Sequence, residues 1–220
     1  MNQGETVIDI KDLGFSYPYG EKVFEGLNFS LKRGETVGLT GANGAGKTTL
    51  FHLIMGLLKP DAGEISIFGK ARKAERDFRE VRQRVGLVFQ DSDDQLFCPT
   101  VEEDIAFGPL NLGKSQEEAK AIVREVCERL GLEGFERKVT HRLSGGEKRL
   151  VALATAAAMN PECFLFDEPV VGLDEATTDR FLRYLKEYGK TYVIITHDRE
   201  FLKSAVDKVY MLKDSKVISL

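Results

Sequence analysis

Long apolar runs are missing from this 220-residue chain. No stretch approaches the roughly 18 uninterrupted apolar residues that a membrane span needs. The segment from Met1 to Asp12 also lacks the basic and apolar pattern of a signal peptide. These absences predict a protein that stays in the cytosol. Cysteine is scarce: Cys98, Cys127 and Cys163 are three in number, far apart and without paired spacing, which argues against a disulfide framework or a zinc ribbon and predicts reduced structural thiols. The three histidines, His52, His141 and His197, are too scattered to suggest a metal cluster. Charge of one sign is lacking as well. With 31 Lys and Arg against 35 Asp and Glu, the net charge of -4 offers no nucleic-acid footprint, and no nucleic-acid partner is expected. Low-complexity segments and internal repeats are absent, so one compact unit is the simplest organisation.

What is present is an ordinary globular balance, 42% hydrophobic and 30% charged, with a β-rich first third. Strands are expected at Val7 to Ile10, Leu27 to Leu31 and Thr36 to Leu39. The last of these runs into a glycine loop and a helix from Lys47 to about Leu57. A further pair of strands is expected at Glu64 to Phe68 and Val85 to Phe89. The middle then turns helical, with an amphipathic helix from Lys114 to Leu130 and another opening near Ser144. From Cys163 the pattern returns to β/α alternation: a strand to Phe166, a helix from Glu175 to Tyr188 and a strand from Tyr192 to Ile195. Continuous apolar strands of this kind suit a parallel sheet covered on both faces.

The glycine loop reads Gly41-Ala42-Asn43-Gly44-Ala45-Gly46-Lys47-Thr48, followed by Thr49, and lies between a strand and a helix, where a phosphate-binding loop belongs. Its glycines let successive N–H groups turn toward phosphates, the helix N-terminus adds its dipole, Lys47 brings a point charge and Thr48 a magnesium ligand. Downstream, Cys163-Phe164-Leu165-Phe166-Asp167-Glu168 is an apolar strand ending in two carboxylates. Asp167 at its tip is expected to serve the magnesium shell, and Glu168 to polarise an attacking water as general base. Together the two motifs predict a chain that binds ATP with Mg2+ and hydrolyses it.

Leu143-Ser144-Gly145-Gly146-Glu147 can be read as a capped helix start whose glycines admit close approach of a phosphate. In this company it resembles the signature sequence of ATP-binding cassette (ABC) ATPases, and the resemblance covers the whole chain. It implies an α/β fold with a mainly parallel P-loop sheet, an N-terminal antiparallel β-subdomain and a helical subdomain at about 101–159. It implies roles for Tyr17 stacking on adenine, Gln90 sensing magnesium and water, Gly172-Leu173-Asp174 contacting a second subunit, and His197 bonding the γ-phosphate while fixing Glu168 and the water. It also implies a head-to-tail dimer in which Ser144, Gly145, Gly146 and Glu147 of one copy close on the ATP held by Lys47 of the other. The partner in that dimer would be the same chain or a paralogous ATPase.

Between Gln90 and the helices the chain reads Asp93-Asp94-Gln95-Leu96-Phe97 and then Thr100 to Gly113. This is similar to the ATPases of energy-coupling factor transporters of the cobalt or nickel type and their vitamin-importing relatives. That likeness implies a peripheral protein on the cytoplasmic face of the membrane, joined to an integral scaffold and a substrate-binding membrane component. Leu96, Phe97 and Phe107 either line a groove for such partners or pack the insertion's own core. Two positions depart from the usual pattern, Val170-Val171 after Glu168-Pro169 and Glu147 in place of glutamine. The chain's end at Leu220, where many such ATPases continue, leads to an expectation of nucleotide-driven or partner-held dimers. Competing readings are an ATPase of another importer class, a non-transport ABC ATPase, and a nucleotide-binding module without turnover.

Overall fold

The computed structural model describes residues 4–20 and 22–220. In chain order it carries β1 Thr6–Ser16, β2 Lys22–Lys32, β3 Thr36–Thr40, α1 Lys47–Ile54, β4 Ala62–Ile67, β5 Lys70–Ala71, α2 Glu75–Arg84 and β6 Val85–Val88. There follow α3 Val101–Asn111, α4 Gln116–Leu130, α5 Gly145–Ala157, β7 Cys163–Asp167, α6 Glu175–Tyr188, β8 Tyr192–Ile195, α7 Arg199–Ala205, β9 Lys208–Lys213 and β10 Lys216–Ser219.

Two sheets result. The first is antiparallel, in the order β2-β1-β4-β5; the second runs β10-β9-β3-β8-β7-β6 and is parallel except for β10 at its edge. The order of the parallel strands puts β3 and β7 on either side of β8, so the C-terminal ends of all three open onto one edge, where open α/β sheets bind ligands. Each strand there is an apolar run: every residue of β7 and β8 is buried. One core fills the space between the two sheets around α1, with Phe24, Leu27, Leu39, Leu50, Phe51 and Leu165 among its buried residues. The other lies on the opposite face of the parallel sheet, where Phe166, Phe181 and Ile194 meet α3, α4 and α5 through Ile105, Val126 and Leu150.

Several expectations need correction. The strands at Glu64–Phe68 and Val85–Phe89 are not partners: β4 pairs with β1 and β5, β6 pairs with β7, and α2 separates them. Strongly charged α2, which sequence reading passed over, buries Phe78 and Val81, one turn apart. Helix α1 stops at Ile54 rather than Leu57, because Gly56 turns the chain at φ 66° against the ring of Phe78. The amphipathic helix begins at Gln116 rather than Lys114, with Ser115 capping the N–H of Glu118. The three cysteines are free, two of them buried. Among the described residues, no helix is long and apolar enough to cross a membrane.

Candidate functional site

The loop from Gly41 to Gly46 leaves β3 and enters α1 with three glycines at positive φ, two of which have no alternative. A Cβ on Gly41, at φ 148°, would stand 2.5 Å from the Leu212 carbonyl oxygen. One on Gly46, at φ 95°, would stand 2.7 Å from the Phe24 ring. Gly46 is the N-cap of α1 and supplies no side-chain bond, so the helix presents its first N–H groups and its positive end to the space above the sheet. Lys47 is buried, and its Nζ donates to the carbonyls of Gly41 at 2.8 Å and Ala42 at 3.0 Å, which fixes the loop's curvature. Burial lowers the Lys47 pKa, and the carboxylates of Glu168 and Asp167 oppose that shift.

The carboxylates come from the tip of β7. Thr48 Oγ1 donates to Asp167 Oδ2 at 2.6 Å, joining the loop to the strand. Burial pushes the Asp167 carboxyl up; the Thr48 bond opposes this and the neighbouring Glu168 reinforces it. Glu168 is held in the left-handed region at φ 45°, its N–H bonded to the Ile195 carbonyl at 2.8 Å. A non-glycine residue there costs on the order of 1–3 kcal/mol and persists only where the surroundings impose it. The conformation turns the side chain back over the sheet edge. Its Oε1 lies 3.4 Å from His197 Nε2, and Oε2 is buried without a hydrogen-bond partner among the described residues.

These groups face one cavity of about 1030 Å³, lined also by Tyr17, Asn43, Gly44, Gly46, Lys47, Thr48, Thr49 and Gln90. Tyr17 is 42% exposed, stands edge-on to Phe15, and shares a hydrogen bond of 3.1 Å between its hydroxyl and Thr49 Oγ1. A half-exposed aromatic at the mouth of a polar cleft is free to stack on a planar ring. Thr48, Asp167 and Gln90 offer only oxygen donors, in a cavity with room for phosphates and water. That fits magnesium, which takes one or two protein ligands and keeps the rest of its shell as water and phosphate.

Seven candidate residues do not line this cavity. Ser144, Gly145, Gly146 and Glu147 form the start of α5 elsewhere on the surface, outside the cavity's lining. They make a reciprocal capping box, with Ser144 N donating to Glu147 Oε2 at 2.7 Å and Glu147 N to Ser144 Oγ at 3.3 Å. The Glu147 carboxylate is thereby committed to the helix start, while Ser144 and Gly145 remain exposed with nothing against Gly145. Gly41, Ala42 and Ala45 likewise do not line the cavity; they shape the loop beneath it.

Sequence reasoning passed over other residues at this edge. Thr196 and Asp198 line the cavity, and Arg149 of α5 donates to the carbonyls of Phe89 and Gln90. On the helices, Leu96 packs against the core, whereas Phe97 and Phe107 meet edge-to-face at 4.8 Å and remain 66% and 48% exposed. Phe107 and Leu110 line a groove of about 1140 Å³ between α3 and α4.

Comparison with known proteins agrees with this picture. Residues 24–171 match the family model described as ABC transporter. The chain is 47% identical to the energy-coupling factor transporter ATP-binding protein EcfA of Methanocaldococcus jannaschii, over 96% of this chain and 77% of that protein. It superposes with a TM-score of 0.86 on cbiO1 from Clostridium perfringens, part of the ABC transporter complex cbiONQ, at 35% identity over 97% of this chain and 87% of the other. A dimeric ATP-binding cassette in a post-hydrolysis state, bound to ADP and Pi, superposes with a TM-score of 0.87 at 29% identity, over 96% of each chain.

Proposed function

We propose that this chain, which belongs to the ABC transporter family of ATPases, is the ATP-hydrolysing subunit of an energy-coupling factor importer for cobalt, nickel or a vitamin. The observation that carries the catalytic part is the single cavity shared by Lys47, the Thr48–Asp167 pair and the Glu168–His197 pair, with the Ser144–Gly146 loop exposed outside it.

Each side chain then has a task set by its geometry. Lys47 spends two of its three N–H donors on the loop and directs the third at the phosphates, alongside the N–H groups at the start of α1. Tyr17 stacks on the adenine. Thr48, Asp167 and Gln90 would hold magnesium, which when bound neutralises charge on the phosphate oxygens. Glu168 receives the proton of the attacking water, while His197, 3.4 Å from Oε1, orients its carboxylate. The Ser144–Gly146 loop lies outside its own cavity and so serves the nucleotide of a second copy or a paralogue, with Gly172, Leu173 and Asp174 at the seam. ATP thereby favours closure and hydrolysis releases it.

The exposed Phe97 and Phe107 and the groove beside them support a membrane partner that inserts amphipathic helices, and a chain docked in that way would be peripheral on the cytoplasmic face of the membrane. The named relatives, an energy-coupling factor subunit and a part of cbiONQ, support the same assignment. The test is co-purification of the tagged chain from membranes of its native cell, with mass spectrometry and ATPase rates with and without the recovered proteins. An integral scaffold and a substrate-binding membrane protein that together raise turnover are the expected result; soluble proteins alone would remove the transport assignment and leave the ATPase.

A further inference from the structure

The segment that carries Gln90 is held by side chains from the helix that carries Ser144–Gly146. Phe89, the first residue after β6, has both of its backbone polar groups engaged by side chains. Its N–H donates to Gln95 Oε1 at 3.2 Å, and its carbonyl accepts from Arg149 Nη1 at 3.0 Å. Gln95 is itself anchored to α5, its Nε2 donating to the Ala152 carbonyl and to Thr155 Oγ1, each at 2.7 Å. Arg149 also donates to the carbonyl of Gln90. A surface ion pair between Lys148 and Asp93, at 2.6 Å, adds a weaker tie between the same two elements. The peptide groups flanking the Gln90 side chain are therefore tied to α5 by hydrogen bonds as well as to β6 through the chain.

We propose that Gln95 and Arg149 are positioning residues for hydrolysis: they fasten Gln90 to α5, so that closure of Ser144–Gly146 on a second copy's nucleotide sets Gln90 in this copy's own cavity. The inference rests on the role assigned to Gln90 above. Arg149 sits about one helical turn from Gly145, and a helix turn is stiff enough to transmit a displacement of the loop to the carbonyls that Arg149 holds. A misplacement of about 1 Å can cost about 100-fold in rate. Loss of the clamp is thus felt in turnover rather than in nucleotide affinity, which depends on Lys47 and α1.

The test compares Gln90→Ala, Gln95→Met, Arg149→Met, Arg149→Lys and Thr155→Val in the full chain. For each, kcat, ATP affinity by equilibrium binding, and the magnesium concentration giving half-maximal rate at saturating ATP are measured. Gln95→Met and Arg149→Met should reproduce the pattern of Gln90→Ala: at least a ~10-fold fall in kcat and a raised magnesium requirement, with ATP Kd within about twofold. Arg149→Lys keeps a charged donating nitrogen, on a shorter side chain, and should recover part of the rate. Thr155→Val is close to isosteric and keeps the fold even if the larger changes do not; it should show a smaller loss of the same kind. A clamp without function would move the Tm of these variants but not their magnesium dependence. Unchanged kcat and magnesium requirement in the Gln95, Arg149 and Thr155 variants, with Gln90→Ala impaired, overturns the clamp alone. An unimpaired Gln90→Ala overturns the role of Gln90 and the clamp together.

Discussion

Replacing Glu168 by Gln should raise the stability of the protein while sharply reducing its turnover, and the two effects come from the same carboxylate. Glu168 is 7% exposed, its Oε2 is buried without a partner among the described residues, and its charge adds to the burial penalty on Asp167. An unsatisfied buried group costs about 1–3 kcal/mol, more when charged. The amide removes the charge but still needs partners, and it gives up attraction to Lys47, so the net gain is about 1 kcal/mol. In a domain of this size that corresponds to a rise in Tm of about 2–4 °C. The left-handed backbone is the same for both residues and cancels. Removal of the general base costs about 100- to 10,000-fold in kcat, about 3–5 kcal/mol of activation free energy. The assay is paired: phosphate release under saturating MgATP, and thermal unfolding without nucleotide. A kcat within threefold of wild type, or a Tm several degrees lower, would refute the assignment of Glu168 as a strained, unpartnered base.

Gly46→Ala should fail to fold or lose at least ~2 kcal/mol by urea denaturation, because the new Cβ would sit 2.7 Å from the Phe24 ring at a φ of 95°. Glu80 is held down to about 2, first by its hydrogen bond from Arg72 and then by Lys70. A carboxyl depressed below its ordinary 4.5 stabilises the fold above that value, and the contribution is lost as pH falls toward about 2. The difference in urea midpoint between wild type and Glu80→Gln should therefore be full at pH 7 and shrink steadily between pH 4.5 and 2. Phe107→Asp should cut recovery of membrane partners at least ~10-fold without weakening ATP binding, since its half-exposed ring faces the α3–α4 groove and not the nucleotide cavity.

Two elements that sequence reading found with their true ends carry clear signals of different kinds. β8 from Tyr192 to Ile195 and α6 from Glu175 to Tyr188 were expected at those bounds, the first as a wholly apolar run and the second with a strong apolar face capped by Asp174. The phosphate-binding loop was legible because glycine is required wherever a Cβ would strike Leu212 or Phe24, and that requirement leaves a mark in the sequence. Helix α2 was passed over although Phe78 and Val81 lie on one face, because its other eight residues are charged or polar. The pairing of β4 and β6 into different sheets was equally hidden: register and partner are decided by packing of the two cores, not by either strand's own residues. At the site, Glu168 was visible as a carboxylate after an apolar strand, but its left-handed φ and its open Oε2 depend on Ile195 and His197, nearly 30 positions later. The clamp on Gln90 was invisible for the same reason. Gln95 and Arg149 reach partners 57 to 60 residues away, and neither residue type at its own position demands a partner at all.

The central claim is that the cavity around Lys47 is completed by the Ser144–Gly146 loop of a second chain. Sedimentation velocity of Glu168→Gln at micromolar concentration, with MgATP and then with MgADP, tests it most directly. The account predicts a dimer with ATP that reverts to monomer with ADP, and loses the ATP-dependent dimer when Ser144→Arg is added. A protein that stays monomeric under saturating MgATP, or that dimerises alike in both nucleotides and with Ser144→Arg, would contradict it.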